Sequence, residues 1–163
     1  YDIVYPAYKC NMTDILASFG LIQLSRYEGL MERRREIIEM YDEALRPLGI
    51  QTLEHYGDDF SSTGHLYLTR IPGITEEERN QIIINMAEAG IATNVHYKPL
   101  PMFTAYKNLG FDIIDYPNAL EMFQNEITLP LHTLLSDLEV NYITDKLNKA
   151  IREVLEIDEV KMG

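Results

Sequence analysis

The sequence predicts an α+β domain in which a small, mostly antiparallel sheet is covered by helices. Apolar residues recur at helical spacing over a long stretch near the start of the chain. Two Ser/Thr-x-x-Glu patterns, Thr75 to Glu78 and Ser136 to Glu139, mark helix starts further on. Between them lie a few short β-like runs with long connections, which suits a small mixed or antiparallel sheet with helices on one face.

In chain order, residues 1–12 read as extended or irregular, because the residue before Pro6 is biased away from the helical region. Asn11 or Thr13 can cap the first helix. Its apolar positions include Ile15, Leu16, Phe19, Ile22, Leu30, Ile37, Ile38, Tyr41 and Leu45, with a possible kink at Gly29 and a stop at Pro47 and Gly49. Strands are predicted over Gln51–His55 and His65–Ile71, the second ended by Pro72-Gly73. The Thr75 capping box starts a helix that runs to Glu88 and ends at Gly90. Ile91–His96 is short and β-like, and Lys98–Pro101 is a rigid loop. Short helices are predicted near Phe103–Leu109 and Pro117–Asn125, and a minimal strand over Ile127–Leu129 stops at Pro130. The Ser136 box opens a last helix to about Leu155, and the charged tail beyond Glu156 is expected to fray. The division expected is a lead-in and linking helix over residues 1–48 and a small α+β domain over 49–163.

Composition narrows the function. The net charge of −12 disfavours nucleic acid, whose phosphates an acidic surface repels. The one basic cluster, Arg33-Arg34-Arg35, is flanked by Glu32 and Glu36, which suits a solvated face or an interface. No apolar run reaches the length of a membrane span. A single cysteine excludes an internal disulfide and suits a reducing, cytoplasmic setting. One cysteine and four scattered histidines offer no metal-ligand spacing. The chain opens at Tyr1 rather than Met, so upstream sequence is expected.

Four stretches carry a resemblance. They are Tyr8-Lys9-Cys10-Asn11-Met12-Thr13-Asp14-Ile15; Glu32-Arg33-Arg34-Arg35 running to Tyr41-Asp42-Glu43-Ala44-Leu45; Gly90-Ile91-Ala92-Thr93-Asn94-Val95-His96-Tyr97-Lys98-Pro99-Leu100; and Leu129-Pro130-Leu131-His132 with Ser136-Asp137-Leu138-Glu139-Val140. In this order and at these separations they resemble the C-terminal portion of the DegT/DnrJ/EryC1/StrS aminotransferases, which transaminate nucleotide-linked keto-sugars with pyridoxal phosphate. The resemblance implies the small C-terminal domain of the fold-type-I aminotransferase architecture. It implies a large N-terminal domain preceding Tyr1 that carries the Schiff-base lysine, a homodimer, and glutamate as the amino donor. No catalytic residue is then expected within the chain, which alone should be inactive. Two departures stand out, Cys10 where an aromatic is usual and Ala7 where glycine is usual.

The resemblance also implies site residues. Asn11 and Lys9 are the candidate donors to the cofactor phosphate, reached across the dimer; an amide or ammonium suits phosphate oxygens. The residues alone favour Asn11 as a helix cap. His96 and Tyr97 are expected at the mouth of the active site, where they offer hydrogen bonds and a stacking face to the sugar nucleotide. The alternative for that pair is a half-buried strand end. Thr93 and Asn94 read as turn and strand-edge residues, His65 and Tyr67 as core residues, His132 and Arg70 as structural, and His55 as surface. Two other functions fit the sequence: a non-catalytic α+β interaction or regulatory domain, and a family dehydratase that uses the same cofactor with a histidine in place of the lysine.

Overall fold

A computed structural model describes residues 11–156. The expected extended lead-in, Lys9 and the fraying tail fall outside this range, apart from Asn11 and Met12 at its start.

Helix α1 (Asp14–Leu45) is unbroken over 32 residues, so Gly29 does not interrupt it. Thr13 is its cap, with Oγ1 accepting from the Leu16 N–H at 3.3 Å; Asn11 is not. A short 3₁₀ turn (Arg46–Leu48) ends in Gly49 at φ 79°, a left-handed stop that glycine adopts at little cost. Strands β1 (Gln51–Thr52), β2 (Tyr67–Arg70) and β3 (Glu126–Leu129) form an antiparallel sheet in the order β1-β2-β3. Helix α2 (Glu76–Glu88) lies between β2 and the short helix α3 (Thr104–Lys107) in sequence; α4 (Pro117–Asn125) precedes β3, and α5 (Asp137–Val154) follows it.

Both predicted capping boxes are formed. The Thr75 and Ser136 hydroxyls accept from the backbone of Glu78 and Glu139, whose carboxylates accept in return from the cap N–H at 2.7 and 2.8 Å. The strands are shorter than the sequence suggests. Opposite Tyr67 stands Leu129, and the next residue, Pro130, has no N–H to extend the ladder, so His65 and Leu66 lie outside it. After Thr52 the chain leaves the sheet for a small loop closed by the Tyr56–Ser61 bridge. The β-like run 91–96 contributes one bridge only, Asn94 to Thr128.

The register sorts the sheet into two faces, because side chains alternate along each strand. Tyr67 and Thr69 sit opposite Leu129 and Ile127. These four are buried on the face toward α1, with Tyr67 against Tyr41 at 4.7 Å between ring centroids. Leu68 and Arg70 sit opposite Thr128 and Glu126 and turn to the other face. The core joins Ile37, Ile38, Tyr41 and Leu45 of α1, Ile82 and Met86 of α2, and a helical stripe on α5 at Val140, Ile143, Leu147, Ala150 and Ile151.

The arginine run makes contacts within the chain from a partly exposed face of α1. Arg33 reaches Glu36 and Asp137, each at 2.7 Å, and donates to the Leu135 carbonyl at 2.7 Å, fastening α1 to the start of α5. Arg34 donates to the Thr63 carbonyl, and the Arg35 guanidinium lies 4.5 Å from the Tyr56 ring centroid. The first half of α1 differs. Ile15, Phe19 and Ile22 share one stripe and are 61–71% exposed, and Leu16, Leu21 and Leu24 are exposed beside them.

Candidate functional site

The polar face of β3 holds the site together. Glu126 and Thr128 are buried there on alternate positions of the strand, 4% and 5% exposed. The neighbouring segment is pinned to this strand edge by a pair of backbone hydrogen bonds, Asn94 N–H to Thr128 O at 3.2 Å and Thr128 N–H to Asn94 O at 2.8 Å. Two residues on, the His96 N–H donates to Glu126 Oε2 at 2.8 Å. The His96 ring places Nδ1 2.9 Å from the Thr128 hydroxyl, which itself bonds Glu126 Oε1. Asn94 closes the group, with Oδ1 accepting from the Val95 N–H at 2.8 Å and Nδ2 lying 3.4 Å from His96 Nε2.

Burial pushes the Glu126 carboxyl above the usual carboxylate range, although the bonds from Thr128 and His96 and the nearby Arg79 guanidinium pull against that rise. Arg79 is itself 1% exposed. It approaches Glu76 at 3.5 Å and lies over the Phe123 ring at 4.9 Å, while its Nε and one terminal nitrogen have no hydrogen-bond partner among the described residues. Burial moves its pKa down from the ordinary arginine value, against the pull of Glu76 and Glu126.

This network forms the wall of a cleft of about 310 Å³ lined by Thr93, Asn94, His96, Thr128, Pro130 and His65, among others. Thr93 Oγ1 is buried without a hydrogen-bond partner among the described residues, a polar atom that a ligand or water would satisfy. Tyr97 stands beside the cleft, 72% exposed, edge-on to the His96 ring at 4.6 Å between centroids. A larger groove of about 450 Å³ runs between α1 and the 61–63 loop, and among the described residues none of the predicted site residues borders it.

His96 and Tyr97 thus stand together, and the structure adds Glu126 and Thr128 beneath them. Asn11 is exposed at the start of α1 and does not border the cleft; with Thr13 as the cap, its amide is not committed to the first helical turn. Lys9 lies outside the described residues. His65 corrects the sequence reading: it is exposed and lines the cleft, whereas Tyr67 is buried as expected. His55 is the converse, 6% exposed and stacked on Tyr67, with Nδ1 3.1 Å from the Ser62 hydroxyl. Arg70 is structural, bonding Asn125 and Glu121. No described lysine is buried.

An α+β domain with an antiparallel three-stranded sheet and a polar cleft at its His-Tyr corner suits the small domain of a sugar aminotransferase. Residues 1–148 match the DegT/DnrJ/EryC1/StrS aminotransferase family, and the chain belongs to it. Its relatives include the spore coat polysaccharide biosynthesis protein SpsC of Bacillus subtilis, 31% identical over 160 residues. That match covers 95% of this chain and 40% of SpsC. The UDP-4-amino-4,6-dideoxy-N-acetyl-beta-L-altrosamine transaminase of Campylobacter jejuni is 26% identical over 153 residues, covering 94% of this chain and 40% of that protein. Among solved structures, Spr1654 of Streptococcus pneumoniae, described as a sugar aminotransferase, is 56% identical. Its PMP-form superposes with a TM-score of 0.87 over 96% of this chain and 39% of that one, and it has also been solved in a PLP-form. The chain therefore spans about 40% of the length of the curated relatives it matches.

Proposed function

We propose that this chain is part of a pyridoxal-phosphate-dependent transaminase that moves an amino group from glutamate to a nucleotide-linked keto-sugar. The single observation that carries this reading is the His96 cleft, whose polar wall is built by a family member's own strand residues. Residues 1–48 lead toward a large domain that carries the Schiff-base lysine, and residues 49–163 make up the small domain, whose core also takes in the end of α1. The bare apolar stripe on the first half of α1 supports such a neighbour, since a soluble helix does not leave a face of this kind uncovered.

In this reading Asn11 and Lys9 donate hydrogen bonds to the cofactor phosphate of the partner subunit in a homodimer. The exposed Asn11 amide, left over from capping, fits an anion. When bound, pyridoxal phosphate supplies the electron sink and the carbon that carries the amino group. The chain's own residues position the acceptor. Tyr97 offers an open aromatic face to the sugar or base, and His96 offers a ring nitrogen to a sugar hydroxyl.

The test uses the complete protein with glutamate and a nucleotide-linked keto-sugar, followed by mass spectrometry. An amino-sugar nucleotide is the expected product. A deoxygenated sugar with no nitrogen gained would assign a dehydratase instead. Asn11→Ala is expected to weaken cofactor retention by about tenfold or more, the loss of one hydrogen bond to a charged group. Unchanged retention would remove Asn11 from the phosphate site.

A further inference from the structure

With Glu126 ionised, the His96 ring sits between two groups whose own bonding is decided. On one side, Thr128 Oγ1 bonds the buried Glu126 carboxylate, and a hydroxyl has one proton to give. That proton goes to Glu126, so toward His96 the same oxygen can only accept, and Nδ1 must carry a proton. On the other side, the Val95 N–H donates to Asn94 Oδ1, which fixes the amide and turns Nδ2, a donor, toward His96 Nε2. A donor there calls for a lone pair on Nε2. Two independent neighbours therefore ask for the same tautomer.

We propose that Glu126 and Thr128 are positioning residues that lock His96 as its Nδ1–H tautomer, leaving Nε2 as the acceptor for a hydroxyl of the sugar-nucleotide substrate in the cleft. The proposal rests on the reading of that cleft given above. Nδ1 is consumed inside the protein, so Nε2 alone is left to a ligand. Its contact with Asn94 is long, 3.4 Å, and a ligand hydroxyl at ordinary hydrogen-bond distance would be the better donor. Glu126 acts twice on the same residue, through the hydroxyl to the ring and directly to the His96 N–H, so it fixes the backbone and the imidazole together. The lock depends on which way the chain of hydrogen bonds runs. A proton on Glu126 would let the carboxyl donate to Thr128 and Thr128 donate to Nδ1, and His96 would then present an N–H to the cleft. The charged neighbour that favours the ionised carboxylate is Arg79 on α2, with Glu76 beside it.

The experiment is ¹⁵N NMR of the complete protein with labelled histidine, assigned by comparison with His96→Gln, together with steady-state kinetics. The expected result is an Nδ1–H signal for His96 at neutral pH. Thr128→Val should convert it to a mixture of tautomers, and Thr128→Ser should restore it. In Thr128→Val the KM for the keto-sugar nucleotide should rise about tenfold, with kcat held within about twofold and the KM for the amino donor unchanged. An Nε2–H signal with sugar-nucleotide binding intact would overturn the lock alone. An Nδ1–H signal with no binding of nucleotide sugars would overturn the function proposed above. Equal losses toward both substrates would reduce Thr128 to a merely structural residue.

Discussion

Arg33→Met separates two kinds of interaction that meet at one guanidinium. The native side chain makes ion pairs to Glu36 and Asp137 and a hydrogen bond to the Leu135 carbonyl, all at 2.7 Å. Its partners differ in exposure: the Glu36 and Asp137 side chains are 53% and 68% exposed, so water and salt screen those pairs to about 0.2–1 kcal/mol each. The Leu135 bond is partly buried, and a charged donor on a carbonyl contributes about 1.5–3 kcal/mol. The carbonyl bond therefore outweighs either pair, and Met keeps most of the apolar stem. Arg33→Met should cost about 2–3 kcal/mol, against under about 1 kcal/mol for Asp137→Asn or Glu36→Gln. The assay is native-state hydrogen exchange on the complete protein, read at the amides of 136–143. Most of the loss should persist at about 1 M salt, where the screening length shrinks to about 3 Å. If the single carboxylate variants each match Arg33→Met, or salt abolishes the difference, the exposed pairs carry the junction and this reasoning is wrong.

Two further outcomes are expected. Glu78 and Glu139 are held below the usual carboxylate range by their bonds to the backbones and hydroxyls of Thr75 and Ser136. A depressed folded-state pKa gives stability that is present above the unfolded value and lost as pH falls through the folded one. The first turns of α2 and α5 should thus exchange faster on acidification, beyond the intrinsic pH dependence, and Glu78→Gln with Glu139→Gln should flatten that trend. Separately, the 163-residue chain on its own should self-associate through the bare stripe of α1. Phe19→Glu with Ile22→Glu should shift it toward monomer in light scattering, and a clean monomer before substitution would contradict the assignment of that stripe.

Local chemistry was legible in the sequence wherever it acts over a few residues. Both capping boxes, the Gly49 stop and the span of α4 follow from residues within one turn of each other. The limits of the strands were less legible, because they depend on a partner far along the chain. At the start of its predicted strand His65 reads as a core residue, yet Pro130 ends the ladder before reaching it. His55 reads as a surface residue in the sequence, and its burial against Tyr67 is a tertiary contact. The buried charges were the larger omission. Arg79 follows three glutamates and Glu126 follows Gln124-Asn125, so each sits in a run that looks solvated. Only the approach of α2 and the 94–96 segment to β3 turns them into parts of a site.

The pairing of β2 with β3 has a consequence for how errors in this molecule would show themselves. Because the strand alternates, a slip of one residue would carry Ile127 and Leu129 onto the polar face that Glu126 and Thr128 occupy and drive Glu126 and Thr128 into the apolar interior. A misaligned pairing of these two strands would therefore cost stability as well as the site. The same four residues that decide whether the chain holds its shape decide whether an imidazole meets its ligand, so quality control over one is quality control over the other.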